Sequence, residues 1–285
     1  MKNIAVITGA SSGMGKEFAV QVAQKYDFDE IWIIARRLDN LKALAEEINQ
    51  TKNFQIVKPV KLDLGSRDGV MQLEDLLKSE HEKLVKVESG IQIGLLINNA
   101  GFGTYGPFEE TDINVQMNMV ELNCTSLTGI CGIALPYLHK DSVIINTSSL
   151  AAFMPLGNFA VYAASKAYVL SFSRALAAEL KHKGIKVCAL CPGSVSTEFA
   201  NVASNGARKE VKGGIPPQKV VAQCLARAFK GKTKSLYRFK WKTLAFLSRF
   251  VSGDLCARFT YKYNKRPRTP DESHQEKEIS LEEFN

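Results

Sequence analysis

The chain has little that would place it in a membrane, outside a cell or on a metal. It carries only two tryptophans and nine prolines in 285 residues, and no uncharged apolar run reaches about 18 residues. A membrane-crossing helix is therefore not expected. The first apolar run, Ile4 to Ile7, is followed at once by a Gly/Ser-rich turn. A secretory signal needs a longer apolar stretch, so export is not expected and a cytoplasmic location is. Six cysteines are scattered, with one CxxC pair, Cys188 and Cys191, and neither a second CxxC nor an HxxxH to complete a zinc site. These two read as small core residues of a strand carrying reduced thiols, and no metal site is expected.

Charge is also lacking where nucleic acid would need it. Residues 1–229 hold 24 Lys+Arg against 22 Asp+Glu, so there is no general basic face to follow a phosphate backbone. The net charge of +8 comes from residues 230–270, with 12 bases and one acid, offset by residues 271–285, with one base and six acids. No nucleic-acid partner is expected.

What is present is a regular alternation of short apolar runs and helical patterns. Strands are predicted at 3–7, 30–34, 55–60, 92–97, 142–147 and 185–190, with helices near 14–25, 38–50, 66–88, 112–137 and 158–182. Continuous apolar strands separated by helices predict a doubly wound, Rossmann-like α/β fold: a parallel sheet of about seven strands with helices on both faces. Beyond 193 the pattern loosens into a loop. A helix at 217–230, a short strand at 235–239 and a helix at 241–252 are expected to follow. Residues 1–240 are read as the binding and catalytic domain, 241–265 as an apolar and basic helical extension, and 266–285 as a Pro-, Glu- and Ser-rich disordered tail.

The first strand runs into Thr8-Gly9-Ala10-Ser11-Ser12-Gly13-Met14-Gly15 and then a helix. Such a turn lets the backbone approach a pyrophosphate at a helix N-terminus, which points to a dinucleotide. The second strand lacks an acid at its end and reads Ala35-Arg36-Arg37 instead. A guanidinium there suits a 2′-phosphate, so NADP(H) is favoured over NAD(H). Strand 142–147 leads to Ser149, followed by Tyr162 and Lys166 one helical turn apart. An ammonium beside a phenol favours the phenolate, making Tyr162 a usable acid/base. The same Ser-x12-Tyr-x3-Lys spacing recurs at Ser248, Tyr261 and Lys265 without a strand leading into its serine, and is read as chance.

With TGASSGMG at 8–15, Asp63, NNAG at 98–101, Asn123, Ser149, YAASK at 162–166 and PGSVST at 192–197, the chain resembles the short-chain dehydrogenase/reductase family over residues 3–200. The resemblance implies that Tyr162 moves the proton between alcohol and carbonyl, that Lys166 assists it and binds ribose, that Ser149 holds the substrate oxygen, and that Asn123 kinks its helix and holds a relay water. It implies cofactor contacts from Gly9, Ser11, Ser12, Gly13, Met14, Gly15, Arg36, Asp63, Asn99, Ala100, Gly101, Tyr162, Lys166, Pro192, Gly193 and Thr197. Ser12 departs from members with a base at that position, leaving the 2′-phosphate to Arg36 and Ser11. The expected activity is NADP(H)-linked interconversion of a secondary alcohol and a ketone on a lipophilic, 3-oxoacyl or steroid-like small molecule. The alternative is a non-catalytic NADP-binding sensor of the same fold. A homodimer or homotetramer is expected. The helix 241–252 is apolar around most of its circumference; cover by the cleft or a sister subunit is favoured over a peripheral membrane contact.

Overall fold

The structure is a computed structural model, and it describes residues 1–52, 54–87, 89–208, 213–265 and 268. The expected tail 266–285 lies outside the described residues except for Arg268.

Seven parallel strands form one sheet in the order β3-β2-β1-β4-β5-β6-β7. They are β1 (Lys2–Thr8), β2 (Glu30–Ala35), β3 (Val57–Lys61), β4 (Ile91–Asn98), β5 (Leu138–Thr147), β6 (Lys186–Leu190) and β7 (Lys234–Ser235). Side chains alternate across a strand, and here both faces are apolar. On β1, Ala5 and Ile7 enter one core cluster while Ile4 and Val6 enter the other. A sheet buried on both sides cannot use the polar-out alternation of an exposed one, which is why its strands read as unbroken apolar runs.

The helices are α1 (Gly13–Lys25), α2 (Leu38–Lys52), α3 (Arg67–Val85), α4 (Ile113–Val120), α5 (Leu127–Ala134), α6 (Ala160–Glu179), α7 (Phe199–Ala203), α8 (Pro217–Phe229), α9 (Phe239–Leu247) and α10 (Gly253–Tyr263). The helix expected over 112–137 is not uniform. A π-turn, Glu121–Ser126, joins α4 to α5. The whole run Ile113–Tyr137 is long and apolar enough to cross a membrane by length and composition. Its inward side, Leu127, Ile130, Cys131 and Ala134, is packed in the second core cluster.

The strand order reverses direction between β1 and β4. Loops leaving their C-terminal ends diverge there and open a crevice, the place where α/β sheets take ligands. The loops after β5 and β6 complete its wall.

Two expectations are corrected at the C-terminal end. The strand expected at 235–239 pairs over Lys234–Ser235 alone. The helix expected at 241–252 runs Phe239–Leu247 and is followed by a second helix, α10. Of α9, Trp241 and Ala245 are the residues buried within the chain.

Candidate active site

The glycine loop is built by close backbone approach. Gly9 and Gly13 have φ of +65° and +54°, a region L side chains rarely enter. A Cβ on Gly15 would lie 2.1 Å from the Gly9 carbonyl oxygen. Ser12 stands at the α1 N-cap without a side-chain cap bond, and the first turn holds no acid. A helix start with uncapped amides, at a crevice and behind a glycine turn, fits the pyrophosphate of a dinucleotide. Ser11, Ser12, Gly13 and Met14 line that turn, half-buried. Gly13 is braced from outside by the methyl of Thr197, 3.2 Å from where a Cβ would stand. Thr197 Oγ1 also accepts from the Phe199 amide at 3.4 Å, starting α7.

Beside this loop, Thr8 ties β1 to β4. Its hydroxyl accepts from the amides of Asn99 and Ala100 at 3.0 and 3.1 Å. The Asn99 amide nitrogen donates back to the carbonyls of Thr8 and Gly9. Thus Asn99 and Ala100 are held against the glycine loop, while Thr8, not singled out from sequence, is the clasp. Asp63 is exposed and accepts from the Gly65 amide at 3.0 Å, shaping the turn before α3, whose cap is Ser66.

Arg36 and Arg37 lie between β2 and α2, outside the helix that begins at Leu38. Arg36 is exposed. Arg37 reaches the glycine loop: Nε donates to Ser11 Oγ at 3.2 Å, and Nη2 donates to Ser12 Oγ at 2.7 Å and to Glu198 Oε2 at 3.0 Å. The sequence placed Arg36 and Ser11 together, whereas the structure joins Ser11 and Ser12 to its neighbour. The double-arginine spelling carried that signal.

At the sheet's C-terminal edge, Lys166 is buried on α6 and donates from Nζ to the Thr147 carbonyl at 3.0 Å. Ser148 Oγ donates to the Lys166 carbonyl at 2.7 Å, fastening α6 to the end of β5. Burial lowers the Lys166 pKa from 10.5 to about 8, partly opposed by the neighbouring Cys124 thiol, whose own pKa burial raises. Lys166 Nζ lies 5.7 Å from the Tyr162 ring centroid. Ser149 stands two residues past the end of β5, and its hydroxyl accepts from the Ala151 amide at 3.1 Å. Its own proton is left for another acceptor.

Asn123 sits in the π-turn. The widened turn lets its amide pair with both backbone groups of Phe102, accepting from N at 3.1 Å and donating to O at 2.9 Å. It also donates to Ser165 Oγ at 3.1 Å. A Cβ on Gly101 would lie 2.7 Å from Asn123 Oδ1 and 3.2 Å from Lys166 Nζ, so the loop, the π-turn and the lysine meet at one point.

The sequence missed the wall around Tyr162. Phe159 stacks on its ring at 4.2 Å, Phe199 tilts against it at 5.4 Å, and Tyr105 packs on Phe159 at 4.8 Å. With Met119 and Ala203 these form a third, smaller apolar cluster outside the sheet core. The rings come from a loop (Tyr105), the cap of α6 (Phe159) and the start of α7 (Phe199), none of them in a long periodic run.

The extension closes the far side. A Cβ on Gly193 would lie 2.4 Å from the Trp241 indole, so α9 is seated on the Pro192–Gly193 turn. On α10, the Thr260 hydroxyl accepts from the Gly157 amide at 2.9 Å, and the Tyr261 carbonyl accepts from Asn158 Nδ2 at 2.9 Å. Gly157 and Asn158 belong to the loop that opens into α6. The second Ser-Tyr-Lys spacing does not assemble: Ser248 Oγ bonds the carbonyl of Ala245, and Tyr261 is exposed on another helix. Cys188 and Cys191 are buried in the first core cluster, and burial raises the Cys191 thiol to about 12.

The family model for short chain dehydrogenases matches residues 3–207. The chain belongs to the short-chain dehydrogenase family. Over 202 residues this short-chain dehydrogenase is 34% identical to a very-long-chain 3-oxoacyl-CoA reductase of Neurospora crassa, covering 70% of this chain and 58% of the relative. Over 206 residues it is 34% identical to 17-beta-hydroxysteroid dehydrogenase type 3 of Mus musculus, covering 70% of this chain and 63% of that one. The chain thus spans about three-fifths of the length of these relatives. Among solved structures, it is similar to a short-chain dehydrogenase from Sphingobium yanoikuyae in complex with NADPH. There the TM-score is 0.71 at 25% identity, over 88% of this chain and 94% of that chain. The fold also matches a short-chain dehydrogenase/reductase from Burkholderia phymatum in complex with NAD. That match has a TM-score of 0.75 at 20% identity, over 94% of this chain and 97% of that one.

Proposed function

We propose that this short-chain dehydrogenase interconverts a secondary alcohol and a ketone on a lipophilic, 3-oxoacyl or steroid-like substrate, using NADP(H). The observation that carries this reading is the buried Lys166 beneath the Tyr162 ring, in a crevice edged by Ser149 and walled by Phe159, Phe199 and Tyr105. A nicotinamide, when bound, supplies or accepts the hydride. The chain's own residues handle the oxygen and its proton. Ser149 donates a hydrogen bond to the substrate oxygen, and Tyr162 gives or takes the proton there. The Lys166 ammonium, held at the carbonyl end of β5, favours the phenolate form of its neighbour. Asn123 anchors the Phe102 backbone and so fixes the wall of the site. Burial that brings Lys166 to about 8 leaves it mostly charged at neutral pH and mostly neutral well above it.

Two arginines and no acid at the end of β2 support NADP(H). The relative bound to NADPH agrees, and the one bound to NAD shows that the fold alone does not decide. A lipophilic substrate is supported by the aromatic wall and by the names of the two relatives. Residues 1–240 would carry the chemistry and 241–265 would brace its rim. Homodimers or homotetramers would form through the apolar side chains exposed on α4 and α6, among them Met117, Val120 and Tyr168.

Tyr162→Phe tests the reading. Turnover of a ketone panel with NADPH, followed at the nicotinamide absorbance, is expected to fall at least a hundredfold, within the usual scale of acid/base catalysis. NADPH affinity is expected to hold. Tyr261→Phe, the matching position of the chance motif, is the control and keeps full turnover. Turnover by Tyr162→Phe within tenfold of wild type would refute the assignment.

A further inference from the structure

Within one chain the C-terminal helices are covered on their inner side and exposed on their outer side. Ten of the 23 large apolar side chains exposed among the described residues fall within the 25 positions 239–263. On α9, Trp241 and Ala245, at i and i+4, face the protein. Phe239, Phe246 and Leu247 occupy the opposite side of the helix and are 82%, 57% and 50% exposed. Lys240 and Lys242 flank that ridge. Phe250 continues it, its ring 5.3 Å from Phe246. On α10, Thr260 faces inward while Phe259 is exposed, with Arg258 and Lys262 beside it.

We propose that the outer face of α9 and α10 docks on an anionic lipid surface. An apolar ridge bordered by cations, on helices too short to span, is the pattern of a helix that lies in the interface. The aromatic rings enter the headgroup boundary, and the lysine and arginine stems carry their charges out to lipid phosphates. Charge selects this occupant over the others. A second copy meeting the same face would set residues 239–263, with five bases and one acid, against another such set. The chain's own acidic segment, 271–285, carries −5 and only three large apolar residues, Ile279, Leu281 and Phe284, too few to cover ten. An anionic bilayer supplies both apolar depth and negative charge. Docking does not depend on the proposed turnover.

The test is co-sedimentation of the full chain with phosphatidylcholine vesicles, with and without phosphatidylglycerol. Binding is expected only with the anionic lipid. It should weaken between about 0.1 M and about 1 M salt as the screening length falls from ~10 to ~3 Å. Lys240→Glu with Lys242→Glu is expected to weaken it by at least twentyfold, near fivefold for each cation lost. Phe246→Ser with Phe250→Ser is expected to abolish it, while circular dichroism and elution volume stay unchanged. Tyr162→Phe should bind vesicles like wild type, which separates this proposal from the catalytic one. The proposal is overturned by absent binding, by equal binding to neutral vesicles, or by binding that appears only when residues 271–285 are removed. It is also overturned if Phe246→Ser with Phe250→Ser dissociates an oligomer and leaves vesicle binding intact.

Discussion

Lys166→Met is expected to stabilise the fold at neutral pH while ending turnover. Burial brings the ammonium from 10.5 to about 8. At ~1.4 kcal/mol per pKa unit, keeping that charge buried costs the native state about 3 kcal/mol at pH 7. The unfolded chain holds the proton up to about 10.5, and the native chain releases it near 8. Between those values the unfolded state binds more protons, so this group makes stability rise with pH. Below about 8 the cost is present in full. Methionine fills the space without a proton, so the advantage of the variant should shrink by about 2 kcal/mol from pH 7 to pH 9.5. Loss of the bond to Thr147 offsets the whole curve by about 1 kcal/mol without changing its slope. Buried thiols such as Cys131 and Cys191, both raised to about 12, tilt stability downward above the ordinary thiol range. Cys131 and Cys191 are common to both proteins and cancel in the difference, whereas Cys124 loses the help of the Lys166 ammonium in the variant, which narrows the advantage further at high pH. Urea unfolding followed by far-ultraviolet circular dichroism at pH 7, 8 and 9.5 measures it. Parallel stability curves for wild type and variant would refute the reasoning.

Three further outcomes follow from the packing. Gly15→Ala puts a methyl against the Gly9 carbonyl and is expected to cost about 2 kcal/mol or more and to abolish cofactor binding. Gly132→Ala, where a Cβ meets nothing within 4 Å on the same class of element, should instead gain about 0.5–1 kcal/mol; thermal melts compare the two. Arg36→Ala and Arg37→Ala are each expected to weaken NADPH by ~1.5–3 kcal/mol and to leave NADH little changed, read by fluorescence titration. Equal losses for both cofactors would make the arginines structural. Gly157→Ala drives a methyl into the backbone of Tyr261 and is expected to loosen α10, seen as faster proteolysis at the C-terminal end with an unchanged sheet signal.

Much of the site was legible because its chemistry is local. Thr8 to Gly15 are contiguous, and Tyr162 and Lys166 share a helix face, so spacing alone brought them together. The sheet was legible because strands buried on both faces spell continuous apolar runs. The aromatic wall was less legible: Phe159 is local to Tyr162 at the start of α6, but Tyr105 and Phe199 reach it only through tertiary folding. The strand expected at 235–239 was legible in place but not in length, since a pairing of Lys234–Ser235 alone is too short to carry an alternation. The tail was only partly legible, for a different reason. Its composition demanded cover, but composition does not say on which side of the helix the cover lies, and the protein supplies it only to Trp241 and Ala245.

Because Trp241 rests on the Pro192–Gly193 turn and Thr260 on Gly157, the extension is fastened to two separate rims of one crevice. Peeling it away is a local unfolding event whose free energy includes the order of both rims. Any molecule that orders those rims must then raise that free energy by the same amount that an attached extension raises its own affinity. Occupancy of the crevice would be readable at the far end of the chain as slower amide hydrogen exchange in residues 241–263.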